Sequence, residues 1–86
     1  MTNLDKFFDI YRVKLHEAIV NDPATYGFRD GSEDEHFRAW ADTVSARMKA
    51  ASVAGTFNHD GPAFRATCKE LGIKSTRKSI LEYIKG

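Results

Sequence analysis

Apolar side chains return every three or four residues along almost the whole chain, and proline or glycine breaks the rhythm at only a few points. No stretch alternates apolar and polar residues in the manner of a half-buried strand. The pattern therefore predicts one all-helical domain over residues 1–86, with helices near 3–20, 33–54, 61–71 and 77–85, and neither internal repeats nor linkers.

Each helix carries its own start and stop signals. Thr2 with Asp5 forms a capping-box pattern, and Leu4, Phe7, Phe8, Tyr11, Leu15, Ala18 and Ile19 make the buried series of the first helix. Asn21-Asp22-Pro23 ends it, because the residue before proline is driven out of the helical region and Pro23 has no N–H to donate. Ala24 to Gly31 reads as a loop whose Tyr26 and Phe28 fold back onto the core. Ser32 to Glu35 again matches a capping box and puts Glu33, Asp34 and Glu35 against the positive end of the second helix, with Phe37, Trp40, Val44, Met48 and Ala51 as its apolar stripe. Gly55 suits its C-cap.

Thr56 to Gly61 reads as a turn, with Asn58 and Asp60 of the types that bond their own backbone, and Asp60 as cap of a third helix that tolerates Pro62. Phe64, Thr67 or Cys68, and Leu71 face inward; Gly72 ends the helix and Ile73 closes over its last turn. Thr76 caps a fourth helix with Ile80, Leu81 and Ile84 inside and Arg77, Lys78 and Lys85 outside.

A chain of 86 residues buries only roughly 60 to 65% of its unfolded surface, too little to enclose a large catalytic cavity. Apolar content of 42% nevertheless supplies enough burial for an autonomous fold. No apolar run reaches the roughly 20 residues a bilayer span needs, and the N-terminus lacks a secretion signal, so a cytoplasmic protein without membrane contact is expected. The lone Cys68 excludes an intrachain disulfide and a cysteine-based zinc site; a buried thiol is expected, with pairing between chains as the alternative.

Enzymatic chemistry finds no support. His16, His36 and His59 fall in separate elements without paired spacing, and the acidic run beside His36 is explained by the helix dipole. Cys68 on an apolar face would be a poor nucleophile, and no glycine-rich phosphate loop occurs between a strand and a helix. No catalytic residue, cofactor or metal is expected.

Charge is unevenly spread. Residues 1–42 hold five bases and nine acids (5 − 9 = −4), and residues 43–86 hold eight bases and three acids (8 − 3 = +5). This polarity either builds a basic face for phosphate or draws the two halves together.

The last third carries the sharpest signal, a helix, a glycine turn and a basic helix, which is the order of a DNA-binding helix-turn-helix. Cys68 is small and lies four residues before Gly72, and Leu71 and Ile73 flank that glycine, as the motif requires. Lys78 then stands where an apolar residue belongs, so the turn must be about two residues longer; two ordinary core helices with basic outer faces would look the same. In the DNA-binding reading Lys74, Ser75, Thr76, Arg77 and Lys78 meet base edges and phosphates, Arg77 being best suited to a guanine edge. Arg65, Lys69 and Lys85 then supply phosphate contacts. A domain this small binds weakly alone, which implies a homodimer or a protein partner.

The run GTFNHDGPAFRATCKELGIKSTRKSI over residues 55–80 resembles the C-terminal part of small proteins of tailed bacteriophages and prophages, with weaker similarity in the opening helix. That family has no established activity to carry over. The resemblance implies a phage-related protein of the bacterial host cytoplasm, with regulation through double-stranded DNA as the first expectation. The alternative is an interaction module that inhibits or adapts a host or phage protein without touching nucleic acid.

Overall fold

The first helix, α1 (Asn3–Asn21), is the axis on which the other three lie. A short 3-10 helix at Pro23–Tyr26 follows, then α2 (Asp34–Ala54), α3 (Pro62–Leu71) and α4 (Arg77–Lys85). A computed structural model describes residues 2–57 and 61–86, and among these the regular structure is entirely helical. The expected turn residues Asn58 and Asp60, with Asp60 as a cap and His59 beside it, lie outside the described residues. Boundaries match the expected helices to within one residue.

The α1 start forms as its sequence dictates. Thr2 Oγ1 accepts from the Asp5 N–H at 3.1 Å, and the Asp5 carboxylate accepts from the Thr2 N–H in return. At the far end Asp22 takes a non-helical conformation, and its carboxylate accepts a hydrogen bond from the Thr25 hydroxyl, which shapes the 3-10 helix where a plain loop was expected.

Phe7 and Ile19 on α1 are fully buried, with Phe8, Tyr11 and Leu15 close behind. Tyr11 stacks on Phe64 of α3 at 4.4 Å between ring centres, and burial pushes its phenol up to about 12. Ile80 brings α4 into the same core. At the other end Phe28 meets Phe37 edge to face at 4.9 Å, and Tyr26 meets Trp40 at 5.6 Å, so the aromatics after Pro23 do fold back.

Two expectations for α2 are corrected. Its most buried residues are Phe37, Ala41, Ser45 and Ser52, whereas Trp40, Val44, Met48 and Ala51 are only partly buried. Small residues line the contact because they let the α2 backbone approach α1 closely, and the larger apolar ones pack along its flanks. Ser45 Oγ donates to the Phe8 carbonyl at 3.1 Å and Ser52 Oγ to the Lys49 carbonyl at 2.7 Å, which satisfies the two hydroxyls that this burial would otherwise strand. The capping box at Ser32 does not form either: Ser32 Oγ donates to the Arg29 carbonyl, and α2 begins at Asp34 with Glu33 as N-cap and no side-chain cap bond. Asp34 is drawn away instead by His16 and Arg38.

Candidate nucleic-acid interface

Gly72 at φ 69° turns the chain out of α3, and its neighbour Ile73 donates its N–H back to the Cys68 carbonyl at 3.0 Å. Ile73 packs against the core, which leaves Lys74 and Ser75 exposed on the way to α4. Thr76 then caps α4 by accepting the Ser79 N–H at 3.2 Å. The backbone order is thus helix, turn, helix, with five connecting residues, 72–76, in place of the three or four of a tight helix-turn-helix.

Packing modifies what that order means. Among the described residues α3 and α4 each make their main contacts with α1 rather than with one another. The angle at which α4 meets a ligand is therefore set by Ile80, which is fully buried, and by the partly buried Leu81, Tyr83 and Ile84.

Residues 61–86 carry six bases and two acids (6 − 2 = +4), while residues 1–60 carry seven bases and ten acids (7 − 10 = −3). Among the described residues the two parts do not neutralise each other through the bases of α3 and α4. The ion pairs join Arg12 to Asp42, Lys14 to Glu70, His16 and Arg38 to Asp34, and Lys49 to Asp5. Among the described residues, Arg65, Lys69, Lys74, Arg77, Lys78 and Lys85 enter none of these pairs, and all six are exposed. One of the two local acids, Glu70, is already engaged by Lys14 of α1 at 3.3 Å.

Arg77 and Lys78 also sit against local helix electrostatics. The first turns of α1 and α2 carry Asp5, and Asp34 with Glu35, where carboxylates favour the positive end of the helix. The first turn of α4 has no acid and two cations. α3 also begins without an acid, but α4 alone opens on two adjacent cations, and a local choice that runs against helix electrostatics is where function is expected to be housed.

The structure gathers Lys74, Thr76 and Lys78 along one open groove of about 770 Å³, walled by Ile73 and Tyr83. Arg65 and Lys69 lie one helical turn apart on the outer face of α3, and Lys85 lies at the far end of α4. Ser75 stays exposed on the turn; burial raises the Cys68 thiol above its ordinary value, and the nearby Ser75 opposes the rise. Tyr83, which also lines the groove, is not marked by the sequence, because the spacing of the fourth helix singles out Ile80, Leu81 and Ile84.

A second cleft, between α1 and α2, is lined by Arg12, His16, Arg38 and Asp42 with Ala41 at its floor, but its cations are already held by Asp42 and Asp34. No cluster of three or more His, Cys, Asp or Glu side chains suited to a metal ion occurs among the described residues, and no described helix is long and apolar enough to cross a membrane. No protein-family model, curated protein or solved structure matches the chain.

Proposed function

We propose that this chain is a small regulatory protein of the phage type that binds DNA through α3, the 72–76 turn and α4. The observation that carries the reading is the set of six exposed bases without ion pairs among the described residues, two of them placed at the positive end of α4. Lys and Arg on phosphates supply affinity by releasing condensed counterions, and Arg77 at the helix start is the side chain able to bond a guanine edge twice. Because α4 is fastened to α1, the basic surface is presented as a fixed unit.

Titration of binding to random duplex DNA against salt tests this. Engagement of all six bases gives a log–log slope of about −5. A flat salt response, with affinity weaker than about a millimolar at low salt, overturns it.

A second reading, docking to a host or phage protein, draws on the outer line of α1. Val13 and Val20 are 46% and 48% exposed there, and Ile10 is partly exposed one turn before Val13. Binding through that line would persist at high salt and survive loss of the α4 bases.

A further inference from the structure

The groove beside the start of α4 has a lining that plain phosphate binding does not require. Lys74 and Lys78 bring two ammonium groups without ion pairs among the described residues, and Tyr83, with its aromatic ring, lines the same groove. That ring is held from behind. Its centre lies 6.3 Å from that of Phe7, and the Asn3 side-chain amide donates to the Tyr83 carbonyl at 3.0 Å, so α1 fixes both the ring and its backbone. Tyr83 remains only partly buried, and its hydroxyl makes no hydrogen bond among the described residues.

A fixed aromatic face flanked by unpaired cations is what a single strand needs and a duplex cannot use. In a duplex the faces of the bases are stacked on one another, whereas a single strand offers them to an aromatic side chain while its phosphates track positive charge. Glu82, also on the groove wall, makes the centre a poor place for a bare phosphate and a good one for the amino group of a base. We infer that this groove seats one nucleotide of a single-stranded nucleic acid, its base against Tyr83 and its flanking phosphates on Lys74 and Lys78. The inference rests on the nucleic-acid reading of the basic surface and adds to it a single-strand subsite beside the face that meets duplex DNA.

The test compares three labelled ligands by fluorescence anisotropy: a mixed-sequence DNA strand of about 12 nucleotides, its duplex, and a strand of equal length made of abasic sites. The intact strand is expected to bind roughly tenfold or more tightly than the abasic strand, with nearly equal salt slopes, since both carry the same phosphates. Tyr83→Leu is expected to erase that difference and Tyr83→Phe to keep it. Lys74→Ala and Lys78→Ala are each expected to lower the single-strand salt slope by about 0.7.

Equal binding of intact and abasic strands overturns the groove assignment and leaves the charge-driven reading standing. Absence of salt-dependent binding to any of the three overturns both. The abasic comparison uses the unaltered protein, so its outcome is independent of whether Tyr83→Leu folds.

Discussion

His16 on α1 places its Nε2 2.7 Å from Oδ1 of Asp34, the first residue of α2. Arg38, one turn further along α2, donates from Nε to the other oxygen at 2.7 Å. The two partners, His16 foremost, hold the Asp34 carboxyl below its ordinary value of 3.8 against the opposing effect of desolvation. Asp5 is lowered in the same sense, first by Lys49 and then by Thr2.

The sign of the resulting pH dependence follows from linkage. A carboxyl whose pKa is lower in the folded state takes up its proton first in the unfolded chain as acid is added. The stability it contributes is complete well above 3.8 and is lost as pH falls from there through the depressed folded value. Urea midpoints measured down the acid side should therefore drop less steeply in Asp34→Asn and Asp5→Asn than in the parent. Identical acid limbs would show that these contacts are not made in solution.

Phe7 is the ring through which three helices meet. It is fully buried, 5.0 Å from Phe8 between ring centres, 6.1 Å from Phe64 on α3 and 6.3 Å from Tyr83 on α4. Phe7→Ala should cost about 3 to 5 kcal/mol, the range for a truncated core aromatic. A domain of this size has roughly 4 to 13 kcal/mol in all, so the variant should sit near its unfolding transition at room temperature. Denaturant unfolding followed by circular dichroism measures it, and a loss below about 1 kcal/mol would contradict the placement of Phe7 at this junction.

Much of this was legible because the deciding forces are local. Thr2, Thr76, Gly55 and Gly72 act within one helical turn, so α1, α4 and the ends of α2 and α3 could be read from spacing and cap chemistry. The contact face of α2 could not. Its apolar stripe points to Trp40 and Val44, which pack against the core but stay partly exposed, whereas Ala41 and Ser45 are buried, and the hydroxyl of Ser45 finds its acceptor 37 residues away on Phe8. Ser32 is not the cap because the helix begins one residue later than its pattern implies, with Glu33 at the cap position, while the Ser32 hydroxyl turns back to donate to the Arg29 carbonyl. The same division runs through the candidate site: the exposure of Lys74, Arg77 and Lys78 follows from their charge, whereas the place of Tyr83 depends on how α4 lies on Phe7 and Asn3.

Gly72 separates backbone cost from packing cost. Its φ is 69°, and a methyl group added there would meet nothing within 4 Å. Gly72→Ala should therefore destabilise by about 1 to 2 kcal/mol through the left-handed conformation alone. Gly72→Asn should cost less, because asparagine tolerates that region. Equal stability of the glycine and alanine proteins would mean that the turn does not hold the geometry that sets α4 against α1.

Cys68 reports on the inner face of α3. It is almost wholly buried and its thiol is raised by desolvation, both of which suppress the thiolate that reacts with disulfide reagents. Labelling of the native protein near neutral pH should be slow and should become fast once denaturant unfolds the chain. Rapid stoichiometric labelling without denaturant would show that α3 is not docked through this face.

Arg77 and Lys78 allow function to be separated from fold, because their local electrostatic effect has the opposite sign to their proposed role. Both occupy the first turn of α4 and are exposed, and neither forms an ion pair among the described residues. Cations at that end of a helix are unfavourable by roughly 0.3 to 1 kcal/mol each at low ionic strength. The double change Arg77→Ala with Lys78→Ala should leave helicity unchanged or slightly higher and should not lower thermal stability. Affinity for duplex DNA should nevertheless fall, with the salt slope reduced by about 2, one contribution from each lost phosphate contact. Arg12→Ala provides the comparison, since Arg12 is exposed but paired with Asp42 at 3.5 Å on the α1–α2 side. It should leave DNA affinity close to that of the parent. If the double variant binds DNA as tightly as Arg12→Ala does, the start of α4 is not the contact surface, and its two cations have no role that this fold explains.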